Sequence, residues 1–120
     1  MNYNESIEMY LETIHVLSKR QTTVKSIDVA NELNYARASV SRALKLMLEK
    51  NYITLDAKKN IILTKDGLEI ANRIYDRHIT LTKLLESIGV SKETAEDDAC
   101  KIEHVISDET MQAIKKKFDK

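Results

Sequence analysis

Apolar side chains recur at intervals of three and four residues along most of the chain, and this period limits the possible folds more than any other feature. It places the apolar side chains on one face of each of several helices. Proline is absent and glycine occurs only twice, whereas β-sandwiches and glycine-rich nucleotide-binding folds need many turn-forming residues. We therefore predict a mainly α protein.

The first half of the chain contains three predicted helices. They run from about Asn4 to Lys19, from a cap at Ser26 through IDVANEL, and from about Arg37 to Lys50. A tight polar turn joins the last two, which therefore form a helix-turn-helix. Two β-prone runs, NYITLD and NIILTKDG, follow and are separated by AKK, which predicts a hairpin. A helix-turn-helix with a hairpin directly behind it is a winged helix, which we expect to span residues 1–63.

The second half is predicted to be helical throughout. Thr64 caps a long helix that closes at Gly89. Ser91 and Ser107 begin the two helices that follow, and the first of these contains the run SKETAEDDACKIEHVI. We expect this all-helical domain to span residues 64–120.

Basic side chains concentrate on the winged helix although the formal net charge of the whole chain is zero. Residues 19–59 hold nine Lys or Arg against four Asp or Glu, which predicts a surface for DNA phosphates. The candidate DNA-binding residues share the polar face of the third helix and are Arg37, Ala38, Ser39, Ser41, Arg42 and Lys45. Short side chains let the helix approach DNA closely, and Arg42 can reach a guanine edge or a phosphate. A solvated helix face is the alternative, and the hairpin behind the helix favours DNA binding.

A second group of candidate residues has the spacing C-x-x-E-H, with Cys100, Glu103 and His104. Spacings of i, i+3 and i+4 put all three on one face of the predicted helix. A thiolate, a carboxylate and an imidazole there can bind Fe(II), Mn(II), Co(II), Ni(II) or Zn(II). The same residues are also compatible with a small buried cysteine and a surface Glu-His pair, so spacing alone leaves both interpretations open.

Other functional classes find less support. No Ser/His/Asp arrangement, H-E-x-x-H motif or phosphate-binding loop is present, which disfavours an enzyme. A winged-helix regulator that senses a small organic ligand is an alternative to a metal sensor. A single cysteine, no signal-peptide pattern and no long apolar run predict a cytoplasmic protein.

Several segments together resemble the diphtheria toxin repressor family of metal-dependent bacterial transcription factors. They are SIEMYLETIHVLS, ARASVSRALK, ILTKDGLEIA, RHITLTKLL, SIGVSKETAEDDAC and KIEHVISDE, which cover nearly the whole chain in order. The resemblance implies a winged helix followed by a helical metal-binding and dimerisation domain. It further implies a homodimer that binds a palindromic double-stranded DNA operator, without any membrane association.

The resemblance also implies a ligand set for the metal. Met9, Cys100, Glu103 and His104 match the principal activating site of the iron-responsive branch. Glu12 and His78 match ligands of the manganese-responsive branch, in which an Asp replaces Met9 and a Glu replaces Cys100. Because a thioether and a thiolate are soft ligands, Fe(II) is the expected corepressor and Mn(II) the second choice, with Co(II), Ni(II) or Zn(II) as surrogates. Metal-uptake genes are the expected targets.

The chain departs from the family pattern at a few positions. Ala38 stands where many relatives have proline, and Arg42 stands where the iron branch commonly has glutamine. His78 also corresponds to a ligand of the ancillary metal site of the iron branch, but Thr82 and Glu96 replace the Glu and the second His of that site. The resemblance does not extend to the SH3-like domain of longer members, so we expect a short form.

Overall fold

The computed structural model describes the backbone of residues 3–118 and the side chains of residues 6–118. The helices are α1 (Tyr3–Arg20), α2 (Ser26–Leu33), α3 (Arg37–Glu49), α4 (Lys65–Ser87), α5 (Lys92–Ile102) and α6 (Asp108–Phe118). Strands β1 (Ile53–Leu55) and β2 (Ile61–Leu63) pair in antiparallel register between α3 and α4, with Ile53 opposite Leu63. This arrangement confirms the predicted mainly α fold with a winged helix at its start.

The chain forms two compact units, and the boundary between them falls within α4. The first unit ends at Asn72 and the second begins at Arg73. The first therefore contains the winged helix together with the start of α4, and the second contains the rest of α4 with α5 and α6. The domain boundary expected between residues 63 and 64 stays a prediction.

The core of the first unit is built on the apolar face of α1. Its fully buried large side chains come from every part of the winged helix and include Leu11, Ile14, Val29, Val40, Met47 and Ile53. The hairpin is attached to the α1–α2 linker by a backbone hydrogen bond of 2.7 Å from the Ile61 N–H to the Val24 carbonyl. Burying this much apolar surface is the main contribution to the stability of the unit. It also holds α3 with its polar face outward.

Two expectations for the winged helix are corrected by the structure: the cap at Ser26, and the burial of Leu48 that its apolar spacing in the third helix predicts. Ser26 is the first residue of α2 and not its cap, because Lys25 takes the cap position and its N–H donates to Asp28 Oδ2 at 2.8 Å. Leu48 is 39% exposed because the buried stripe of α3 runs through Val40, Leu44 and Met47. Leu48 instead lines a cavity of about 260 Å³ between α3 and the hairpin.

The hairpin turn is closed by one carboxylate, which explains how it forms without glycine. Asp56 Oδ1 accepts hydrogen bonds of 2.9 Å from the N–H groups of Lys58 and Asn60, and Oδ2 accepts one of 2.9 Å from Asn60 Nδ2. Lys59 takes the left-handed conformation, with φ at +63°. The hydrogen bonds from Asn60 are the main reason that the pKa of Asp56 lies below its usual range, because they favour the ionised form.

The second unit has a smaller core. Leu81, Ala99 and Met111 are buried at its centre, and Leu84, Ile102, Ile106 and Ile114 pack around them. The predicted helix starts in this unit are confirmed. Ser91 Oγ accepts a hydrogen bond from Thr94 N at 3.4 Å, and Ser107 Oγ accepts one from Thr110 N at 3.1 Å.

The start of α4 requires a glycine. The predicted cap is confirmed, since Thr64 Oγ1 accepts a hydrogen bond of 3.1 Å from the Gly67 N–H. A Cβ atom on Gly67 would lie 2.0 Å from the carbonyl oxygen of Tyr52, and that oxygen also accepts a hydrogen bond from Thr64 N. The first turn of α4 therefore touches the backbone before β1 so closely that no side chain fits between them.

We expect Gly67→Ala to lower the free energy of unfolding by about 1–3 kcal/mol, as overpacking does when backbone has to move. Chemical denaturation followed by circular dichroism measures this. Glu69→Ala is the control, because Glu69 is exposed on the same helix and its truncation adds no atom near the Tyr52 carbonyl. A Gly67→Ala protein as stable as wild type would show that the contact with Tyr52 relaxes at no cost.

Candidate metal centre and nucleic-acid interface

A buried carboxylate lies between two imidazoles in the second unit. The Glu103 side chain is fully buried, and its Oε2 lies 3.0 Å from His78 Nδ1. Its Oε1 lies 3.4 Å from His104 Nε2, and the His104 side chain is only 4% exposed. Carboxylate oxygen and imidazole nitrogen are both common ligand atoms of divalent transition metals in proteins. Three of the predicted metal ligands are therefore brought together.

The Glu103 carboxylate has the features of a cation-binding group. Oε1 is buried and accepts no hydrogen bond from the residues that the structure describes. A buried carboxylate oxygen is costly unless a hydrogen bond or a cation compensates for its lost hydration. A divalent ion bound to Oε1 would supply that compensation, so the residues present fit a metal.

His78 has a role that its place in the sequence alone did not show. Its Nδ1 interacts with Glu103 Oε2, and an imidazole that donates from Nδ1 coordinates a metal through Nε2. The same hydrogen bond fixes the orientation of the ring. His78 can therefore both orient the carboxylate and offer a ligand atom.

The helix predicted to carry Cys100, Glu103 and His104 ends before the last two of them. Helix α5 ends at Ile102, and Glu103 is its C-terminal cap, although the Glu103 N–H still donates to the Ala99 carbonyl at 2.9 Å. The backbone then turns, since the N–H groups of Val105 and Ile106 both donate to the Ile102 carbonyl at 3.0 Å. Cys100 lies on α5 and is exposed.

The two ligands predicted on α1 lie in the first unit. The thioether of Met9 is 3.7 Å from the hydroxyl of Tyr35, which donates to it. The Tyr35 ring packs edge-on against Tyr10, with the ring centroids 6.0 Å apart. Glu12 is half-buried one turn further along α1 and lines a cavity of about 170 Å³. Met9 is thereby in contact with the turn that precedes α3.

The predicted DNA-binding residues lie on the outer side of α3. Five of them are exposed, namely Arg37, Ala38, Ser41, Arg42 and Lys45, and Ser39 is half-buried. The guanidinium of Arg42 donates to Ser39 Oγ at 3.3 Å, which directs it along the helix. Lys45 and Lys59 both line the cavity between α3 and the hairpin. Helix and hairpin therefore present cationic side chains next to each other, as contact with DNA phosphates requires.

Two residues that contribute to these sites were missed by sequence reasoning. In the sequence, Tyr35 lies in the predicted turn before the third helix and Arg77 lies inside the predicted long helix, and neither has a spacing that marks it as functional. Arg77 Nη1 donates to the carbonyl of Glu103 at 3.0 Å, and its side chain is only 11% exposed. The only feature of the sequence that points to Arg77 is its place next to His78. Residue spacing does not reveal that a side chain will donate hydrogen bonds to backbone carbonyls elsewhere in the chain.

Matches to known protein families agree with this geometry. One family model, described as the N-terminal DNA-binding domain of iron-dependent repressors, matches residues 2–61. Another, described as their metal-binding and dimerisation domain, matches residues 64–120. Fold and site together define a metal-dependent winged-helix transcriptional regulator. The chain belongs to the iron-dependent repressor family, also called the diphtheria toxin repressor family, which confirms the resemblance.

Similar proteins include regulators from archaea and bacteria. The chain is 34% identical over 114 residues to an uncharacterised HTH-type transcriptional regulator of Methanocaldococcus jannaschii, covering 93% of this chain and 91% of that protein. It is 30% identical over 111 residues to the transcriptional regulator MntR of Escherichia coli O157:H7, covering 92% and 72%. These relatives are transcriptional regulators, as predicted, and not enzymes.

Solved structures show the same fold. The manganese regulator SloR superimposes with a TM-score of 0.82 at 24% identity, covering 99% of this chain and 55% of that one. The IdeR protein of T. acidophilum gives a TM-score of 0.81 at 26% identity, covering 94% and 54%. The chain thus spans about half the length of these two proteins. Among the described residues, no helix has the length and apolar character needed to cross a membrane.

We expect Glu103→Gln to weaken the binding of Co(II) at least 100-fold, about the upper end of the effect of losing a residue that only supports a ligand. Gln keeps the size of the side chain but removes the charge that a cation needs. Anaerobic titration followed by Co(II) absorption measures this. Glu96→Gln on the exposed side of α5 is the control, and equal affinity in the two variants would exclude Glu103 as a ligand.

Proposed function

We propose that this chain is a metal-activated transcriptional repressor whose binding to DNA requires a divalent ion as corepressor. The observation that carries the proposal is the buried Glu103 carboxylate, with Oε1 lacking a hydrogen bond from any described residue and two imidazoles beside it. The outer side of α3 would supply the DNA-binding surface, because it is cationic and a helix of this kind fits the major groove. A metal centre and a DNA-binding face in one chain are the parts that a metal-controlled repressor needs.

The proposed metal ligands are those that the family resemblance implies. They are Met9, Glu12, His78, Cys100, Glu103 and His104. A bound cation would favour the conformation in which its ligands are in place over the others in solution. Metal affinity should fall at low pH, because thiol and imidazole groups must lose protons before they bind a metal.

The proposed corepressor is Fe(II), with Mn(II) as the alternative. Met9 and Cys100 offer sulfur, which favours Fe(II) over Mn(II). Mn(II) is supported by Glu12 and His78, which match the manganese branch, and by relatives that are named as manganese regulators. With either ion the chain would be the same type of regulator, one that represses metal-uptake genes when the metal is plentiful.

The proposed DNA-bound form is a homodimer on a palindromic operator. A dimer with two-fold symmetry presents two copies of α3, and each reads one half-site. The half-sites must be spaced by about one helical turn of DNA for both copies to enter the major groove together. The family model that covers residues 64–120 is described as a dimerisation domain, which supports this assembly.

The proposal is tested by DNA binding at controlled metal. A duplex selected from a random pool is measured by anaerobic fluorescence anisotropy with chelator, with Fe(II) and with Mn(II), at fixed salt because salt changes such affinities strongly. We expect at least tenfold tighter binding with metal, a coupling typical of effectors. Arg42→Ala should weaken binding in every condition. Equal affinity under chelator would contradict a corepressor and would favour an organic effector.

Metal choice is tested by exchanging the sulfur ligands for carboxylates. The double variant Met9→Asp with Cys100→Glu should shift the preference from Fe(II) towards Mn(II), because carboxylate oxygen is a harder donor than sulfur. Competition between the two ions, read out as metal content and as operator affinity, measures the shift. Glu93→Gln, at an exposed site in the first turn of α5, serves as control. An unchanged preference in the double variant would show that these two positions do not set metal selectivity.

A further inference from the structure

Arg77 binds the segment between α5 and α6 at three points. Its Nη1 donates to the carbonyl oxygens of Glu103 at 3.0 Å and of Ile106 at 3.1 Å. Its Nη2 pairs with the carboxylate of Asp108, the first residue of α6. One largely buried guanidinium therefore spans the whole connection from the end of α5 to the start of α6.

The connection needs such a partner because it is not regular structure. The last carbonyl groups of a helix have no hydrogen-bond donor within the helix, and a buried carbonyl without a donor is costly. Arginine has five N–H donors in a planar fork, so it can bind two carbonyls and a carboxylate at once. A lysine ammonium is a compact group on a flexible chain and does not have this geometry.

The residue after Arg77 binds the same glutamate. Arg77 holds the main-chain carbonyl of Glu103, and His78 Nδ1 interacts with its carboxylate at 3.0 Å. Two consecutive residues of α4 thus fix both the backbone and the side chain of Glu103. Because His104 follows directly in the chain, the position of its backbone is fixed by the same contacts.

We propose that Arg77 is a positioning residue for the metal centre, which sets the placement of Glu103 and His104 through their backbone without itself binding the ion. The inference rests on the proposed metal function of these residues. It requires that loss of the Arg77 contacts changes the geometry of the bound ion and not only the stability of the fold. Preorganised ligands bind a metal more tightly than ligands that must first be ordered.

A neighbouring ion pair provides a matched control. Asp76 of α4 pairs with Lys115 of α6, so it also connects these two helices. Its side chains are more exposed, at 53% for Asp76 and 30% for Lys115, and the pair lies outside residues 103–106. Asp76→Asn therefore weakens an α4–α6 contact and leaves the Arg77 contacts in place.

The experiment compares Arg77→Lys, Asp108→Asn and Asp76→Asn with the wild type in the full chain. Arg77→Lys should weaken Co(II) binding about 10- to 100-fold, the usual effect of losing a group that orients a ligand. It should also change the absorption spectrum of the protein at Co(II) saturation, which a change in stability alone does not do. Asp76→Asn should keep both the affinity and the spectrum of wild type.

Asp108→Asn keeps the test decisive if Arg77→Lys folds poorly. Asp108 is 85% exposed, so its loss leaves the core intact while it frees one side of the guanidinium. We expect a smaller loss of Co(II) affinity and faster hydrogen exchange at the amides of residues 103–106. Wild-type affinity and an unchanged Co(II) spectrum in Arg77→Lys, or affinity losses no larger than in Asp76→Asn, would overturn the proposal.

The result also separates this proposal from the proposed function. If wild type and Glu103→Gln bind Co(II) equally weakly, the metal function fails. Hydrogen exchange in the metal-free protein then still decides whether Arg77 holds residues 103–106, because faster exchange in Arg77→Lys than in Asp76→Asn requires no metal. Equal exchange in the two variants would overturn the role of Arg77 on its own.

Discussion

The burial of the Glu103 carboxylate is the constraint on which the second unit depends. A negative charge removed from water must be compensated, and here the compensation comes from groups that surround one residue: the imidazoles of His78 and His104 and the guanidinium that holds its backbone. Because Oε1 accepts no hydrogen bond from the described residues, this compensation is incomplete without a cation. Under the proposed function, metal binding and the local stability of the second unit would both depend on this carboxylate.

The DNA-binding half depends on a different kind of interaction. Its core is apolar and continuous from α1 to the hairpin, so α3 is fixed by packing on one side and is free to present polar groups on the other. The contact between Met9 and Tyr35 is one place where a residue matched to the metal ligands touches the helix-turn-helix itself. A polar contact of this kind is more easily altered by a bound ion than the surrounding core is.

Local rules recovered most of the fold from the sequence. Periodicity located the six helices that the described residues form, and the caps at Thr64, Ser91 and Ser107 are readable because each is a short-range hydrogen bond. Reasoning failed where distant residues decide the outcome. The run through Glu103 continues the helical pattern, yet α5 ends at Ile102. Arg77, which lies 26 residues before Glu103 in the chain, binds the carbonyls beyond the helix end. Likewise, spacing alone does not predict that the imidazoles of His78 and His104 lie next to the Glu103 carboxylate.

The tight approach of Gly67 to the Tyr52 carbonyl has a genetic consequence. Every amino acid that a single nucleotide change can put in place of glycine carries a Cβ atom, and each such atom would meet the same oxygen. No missense change at this codon is therefore small in steric terms, however conservative it looks. Temperature-sensitive alleles of this regulator are to be sought here, at a position that belongs neither to the proposed metal ligands nor to the proposed DNA-binding face.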